Sequence, residues 1–105
     1  KGNMTKLLKQ AQDMQKQIEE VQNELSEMII DAESGGGLVS VTVNGKQELL
    51  SLDLNPEVLN EEKEMIEDLI ISAINKALSK AQSDSQEKMN SVTGGMMSGL
   101  KIPGM

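Results

Sequence analysis

Few side chains in this 105-residue chain could do chemistry, and what they offer is charge rather than catalysis. Histidine, cysteine, tyrosine and arginine are all missing, so proton transfer or nucleophilic attack would fall to lysine, serine, threonine or a carboxylate. The carboxylates lie in helix-start and surface patterns, and spacing singles out no pair. Without Cys or His, thiolate and imidazole metal sites are also gone. No catalytic residue, metal or cofactor is therefore expected, and no small-molecule substrate.

The remaining resource is ten lysines set against 17 acidic residues, a formal net charge of −7. Taken whole, that balance disfavours a nucleic-acid partner. Its distribution does not: residues 1–18 carry +3, 19–33 carry −6, 57–68 carry −5 and 69–105 carry +2. Both ends are basic and the middle is acidic. Lys6, Lys9 and Lys16 avoid the apolar stripe of the first segment, and Lys9 and Lys16, seven apart, share its back. Lys76, Lys80 and Lys88 form an i, i+4, i+12 ladder interrupted by Asp84. Such a pattern alone suits a solvated helix face equally well. Collected at one tip, the lysines would instead form a cationic surface on an acidic protein.

The chemistry of that surface would be phosphate binding. With no Phe, Tyr or Trp, bases cannot be stacked as single-strand binders stack them, so duplex is the better ligand. Without Arg, bidentate guanine contacts are left to Lys, and binding should rest on phosphates with little sequence selectivity.

These groups must be positioned by two long helices. Met4, Leu7, Ala11, Met14, Ile18, Val21, Leu25 and Met28 are spaced alternately three and four apart, an unbroken heptad seam. Asn3 or Thr5 could cap its start. A helix over residues 4–27 would be about 36 Å long, against a radius of gyration of about 13 Å for a compact domain of this size. It therefore overhangs its own domain and calls for a partner chain. A second helix is expected from Asn60, with Glu61, Glu62 and Glu64 at its positive end and a broad apolar face from Ile66 to Ala81. Residues 1–93 are expected to form one domain and the Gly- and Met-rich residues 94–105 a flexible tail.

Between the helices, three short strands are predicted: Met28 to Ser34, Leu38 to Val43, and one built on Leu50, Leu52 and Leu54. Gly35, Gly36 and Gly37 supply the first reversal. They do not make a phosphate loop, because a strand follows instead of a helix and the Lys-Ser/Thr pair is missing. Asn44-Gly45 predicts a two-residue hairpin turn that sets Val39 opposite Leu50 on one apolar face. Ser40, Thr42, Ser51 and Asp53 would then share the other face. Asn55-Pro56-Glu57 reads as a cap followed by Pro at a first helical position. An odd number of strands lets the two helices run side by side and antiparallel, bringing their basic ends to one tip. The fold class is α+β: long helix, three-stranded antiparallel sheet, long helix. Leu7, Met14, Ile18, Val21, Leu25, Val39, Val41, Leu50 and Leu52 are the expected dimerisation residues.

Along nearly its full length the chain resembles the YbaB/EbfC family of bacterial nucleoid-associated proteins. The resemblance runs through Gly2-Asn3-Met4, Lys9-Gln10-Ala11-Gln12, Glu33 to Val39, Val43-Asn44-Gly45 and Asp53-Leu54-Asn55-Pro56. It continues through Glu67-Asp68-Leu69-Ile70, Ala73-Ile74-Asn75, Glu87-Lys88-Met89, Gly94-Gly95 and Pro103-Gly104. It implies an intertwined, tweezer-like homodimer whose helical arms bind DNA and organise the nucleoid. By position it makes Lys6, Lys9, Lys16, Lys76, Lys80 and Lys88 the DNA-binding candidates. The sequence departs from the family in lacking Arg and in placing Asp84 inside the lysine ladder.

No apolar run approaches the ~20 residues of a membrane span and no segment resembles a signal peptide, so the bacterial cytoplasm and nucleoid are the expected location. The alternative from another class is a coiled-coil interaction scaffold or adaptor with no direct DNA binding. In it the seam and the Met-rich tail recruit a protein, and the lysines only solubilise.

Overall fold

The computed structural model describes residues 2–97, with side chains for residues 3–91. Helix α1 (Gly2–Glu27) leads into strands β1 (Ile30–Ser34), β2 (Val39–Val43) and β3 (Leu49–Leu54), then a 3-10 turn (Pro56–Asn60) and helix α2 (Lys63–Met97). The sheet is antiparallel in the order β1-β2-β3. The fold is thus α+β with the predicted element order. Its dimensions are 71 × 30 × 16 Å and its radius of gyration is 20.3 Å. A compact domain of this length would measure about 13 Å, so the overhang expected of the first helix is real.

The core is built where α2 crosses β1 and β2. Val39, Val41 and Val43 point from β2 towards α2, whose Ala73, Ala77 and Ala81 recur every four residues and are fully buried. Small residues on that stripe let the helix axis come close to the sheet, so valines fill the gap without any aromatic side chain. Ile30 and Val58 complete the buried cluster. α2 packs on β1 and β2, which leaves Leu49, Leu50 and Leu52 of β3 about half exposed.

The glycine reversal is as predicted: Gly35, Gly36 and Gly37 all have positive φ, at 62°, 66° and 97°. Ser34, buried just before it, donates from its hydroxyl to the Leu69 carbonyl at 2.6 Å and pins this turn to α2.

The second reversal differs from the predicted two-residue turn. Val39 pairs with Leu54, four residues beyond Leu50, and Val41 pairs with Leu52. Thr42 faces Ser51 while Val43 faces Leu49, so Leu50 is the extra residue of a β-bulge. The shift along the strand is even, so the polar residues keep their shared face, with Ser40 opposite Asp53 and Thr42 opposite Ser51. The physical reason lies in Asn44, which is 3% exposed and organises a five-residue loop. Its Oδ1 accepts from the Lys46 and Glu48 amides at 2.9 and 3.0 Å, its Nδ2 donates to Glu48 Oε1 at 2.7 Å, and Gln47 takes the positive φ of 63°. Asn44→Ala would remove three part-buried hydrogen bonds that shape the loop, and a loss of about 2 kcal/mol of unfolding free energy is expected in urea titration. A change below about 0.5 kcal/mol would contradict this role for Asn44.

Two smaller corrections concern helix starts. α1 already includes Asn3 and Thr5, so neither is its cap. α2 starts at Lys63, not Asn60, because Asn55 caps the separate 3-10 turn by accepting from the Glu57 amide at 2.9 Å, and Glu61 closes that turn on Val58. At its far end α2 passes through Gly94 and Gly95 to Met97, while residues 98–105 of the predicted tail lie outside the described residues.

Candidate nucleic-acid interface

The free part of α1 is the first half of the candidate surface. Residues 3–20 are all exposed, and the helix meets the body only at its last turns, where Val21 and Leu25 are buried. Three points hold it there. The Leu25 carbonyl accepts from the Gly45 amide at 2.7 Å, the Gly45 carbonyl accepts from the Ser85 hydroxyl, and Glu24 pairs with Lys88 at 3.2 Å. The Asn44–Glu48 loop is thus wedged between the two helices and fixes how they diverge.

On that free stretch Lys6, Lys9 and Lys16 fall within about 80° of one another at 100° per residue, opposite the side carrying Leu7, Met14 and Ile18. Asp13 and Glu20 share the lysine side, against three lysines. One edge of α1 is therefore cationic on balance, and the other is an apolar stripe without cover, with Leu7 62%, Met14 49% and Ile18 52% exposed.

The second half lies on α2. Lys76 and Lys80 line a shallow groove with Ser72, Asn75, Ser79 and Ser83, and Asp84 closes one end. Lys76 Nζ also donates to the Glu33 main-chain carbonyl on β1 at 3.3 Å. These two lysines stand beside the sheet, not at the end of an arm.

The expected gathering of all six lysines at one tip is not found within a single chain. Lys88 meets Glu24, and from that meeting point Lys76 lies about 18 Å back along α2 and Lys6 about 27 Å out along α1. The cause is that α2 packs on the sheet with residues 66–81, so its lysines in that range flank the body, while α1 runs clear of it. Two cationic surfaces result, with Lys88 neutralised between them by Glu24.

Of the expected dimerisation residues, Leu7, Met14, Ile18, Leu50 and Leu52 are exposed and open to a partner. Val21, Leu25, Val39 and Val41 are corrected to the chain's own interior, at 7% exposure or less. Val39 and Val41 alternate inward beneath α2, which removes their surface from any second chain. Sequence reasoning missed Leu8 and Leu49 as exposed apolar side chains and the serines of the α2 groove. The groove had a sequence signal, because residues 69–83 contain no acidic residue in a chain otherwise rich in them.

Among the described residues no cluster of carboxylates is arranged to hold a metal ion, and no helix is long and apolar enough to cross a membrane.

Known proteins agree with this architecture. A crystal structure of an uncharacterized protein from Helicobacter pylori superposes with a TM-score of 0.71 at 26% identity, covering 79% of this chain and 88% of that one. A nucleoid-associated protein of Clostridium kluyveri is 45% identical over 99% of this chain and 89% of its own length. A nucleoid-associated protein of Clostridium acetobutylicum is 46% identical over 99% of this chain and 90% of its own. A model of the YbaB/EbfC DNA-binding family matches residues 1–96, which include both lysine-bearing helices and the sheet that separates them. By these matches, the chain belongs to the YbaB/EbfC DNA-binding family.

Proposed function

We propose that two copies of this chain form an intertwined homodimer that grips duplex DNA through phosphate contacts from its lysine-bearing helices, without catalysis or cofactor, and so organises the bacterial nucleoid. The observation that carries this reading is the two-sided α1 arm: lysines along one edge, uncovered apolar side chains along the other, on a helix that stands away from its own body. A second chain would cover Leu7, Met14 and Ile18 and the open leucines of β3, where Leu50 is 51% exposed. Pairing would also bring the α1 lysines of one chain near the α2 lysines of the other, restoring the concentration of charge that one chain lacks. Residues 1–93 serve as the dimerising, DNA-binding unit, with a short tail beyond. Action in the cytoplasm on the chromosome, with effects on gene expression, follows from the same reading.

A gel-shift series on duplex DNA tests it. Shifted complexes are expected at about 50 mM salt and should vanish steeply towards 200 mM, since each neutralised phosphate releases counterions. No shift at the lower salt would overturn the proposal. The uncovered seam also suits a protein-recruiting scaffold, which a pull-down from nuclease-treated lysate separates. Partners that survive nuclease favour the scaffold, and their loss favours DNA.

A further inference from the structure

We infer that the α2 groove holds the DNA sugar-phosphate backbone largely through uncharged donors, the hydroxyls of Ser72, Ser79 and Ser83 and the amide of Asn75, with Lys76 and Lys80 as its only cations. This rests on the duplex-binding reading and deepens it, by naming the surface and the kind of contact.

Three observations converge on it. First, the serines and Asn75 recur at spacings of three and four, so with Lys76 they form one continuous strip on the side of α2 turned away from the alanine stripe. From Ser72 to Ser83 the strip is about 16 Å long, which spans about five base-pair steps of duplex at 3.4 Å each. Second, the strip lies in the longest acid-free run of either described helix. Asp68 precedes it and Asp84 and Glu87 follow it, while residues 69–83 hold none. α1 by contrast carries Asp13, Glu19, Glu20, Glu24 and Glu27. Excluding acids from one surface of a chain of charge −7 matters only if something anionic approaches that surface.

Third, serine is a poor choice for the middle of an exposed helix, because its hydroxyl competes for backbone groups and its helix propensity is below that of Ala, Gln, Glu or Lys. Ser72, Ser79 and Ser83 are exposed and bury nothing in return. Ser34 and Ser85, which bond to Leu69 and Gly45, have a structural reason for their hydroxyls. The groove serines have none among the described residues, whereas serine and asparagine side chains and backbone-facing lysines are common donors to phosphate oxygens.

The test compares two variants of the full chain on a labelled duplex of mixed sequence, measuring affinity across a range of salt. Ser72→Ala/Ser79→Ala/Ser83→Ala should keep the fold, since each change raises helix propensity, and thermal unfolding verifies this. Its affinity is expected to fall at least tenfold at every salt concentration, with the slope of log K against log salt unchanged. Lys76→Gln/Lys80→Gln should instead flatten that slope, by about 3.6 for the four lysines of a dimer at 0.9 per phosphate contact. Wild-type affinity in the serine variant overturns this inference while leaving duplex binding intact. A serine variant whose slope changes overturns it as well, because the contacts would then be ionic. If the wild-type chain does not bind duplex at all, the reading beneath it fails and takes this inference with it.

Discussion

Gly45→Ala is expected to lower the melting temperature by about 15 °C. Gly45 does not sit in the left-handed region, so backbone strain is not the cause. A Cβ there would lie 2.6 Å from the Leu25 carbonyl oxygen, 2.9 Å from Met28 Sδ and 3.1 Å from Leu25 Cα. Two of those atoms are main chain at the end of α1, where nothing can rotate aside. The loop would have to back away, breaking the 2.7 Å bond from the Gly45 amide to Leu25 and pulling against Ser85. Overpacking of about 2 kcal/mol plus a lost hydrogen bond of about 1 kcal/mol gives about 3 kcal/mol. At about 5 °C per kcal/mol for a domain of this size, the shift follows. Gly36→Ala is the control. Its φ is 66° but nothing lies within 4 Å of the added carbon, so only the left-handed backbone cost of about 1 kcal/mol applies. Equal losses for both variants in thermal unfolding would contradict the wedge role of Gly45.

The second large effect concerns charge. In the proposed dimer, Lys76→Glu/Lys80→Glu would replace four cations with four anions on the surface assigned to the phosphates. Duplex affinity at about 50 mM salt is expected to fall at least about 100-fold, because four counterion-releasing contacts become repulsive ones. The fold should survive. Both side chains are exposed, and the bond lost among the described residues is the 3.3 Å contact from Lys76 to the Glu33 carbonyl. Gel filtration should therefore show the same elution volume as the unsubstituted chain. Lys88→Glu is a useful contrast: the ammonium already pairs with Glu24 at 3.2 Å, so it has less to offer a phosphate. Unchanged affinity in the double variant would exclude this face of α2 from the interface.

Much of this fold is legible in the residues themselves. The heptad seam from Met4 to Met28 marks α1 to within two residues of its observed ends, because a long periodic signal averages over local exceptions. The triple glycine marks the first reversal because three positive φ values at 35–37 suit few other residues. Register is less legible. Asn44-Gly45 carries the local signal of a two-residue turn, yet Gly45 is committed to α1 and Asn44 to its own loop. Those are tertiary demands, invisible in a window of four residues. The lysine arrangement fails for a related reason. Helical periodicity tells which side of α2 Lys76 occupies, but not that residues 66–81 are spent on covering the sheet. The groove serines were readable as a gap in the acids.

The most direct measurement is the mass of the complex on DNA. Sedimentation of a labelled duplex of about 20 base pairs with this chain at low salt should give a species carrying two copies of the 11.4 kDa chain, or an even multiple, that dissociates as salt is raised. A duplex that sediments as though alone, or one that carries single copies, would contradict the paired, phosphate-gripping arrangement.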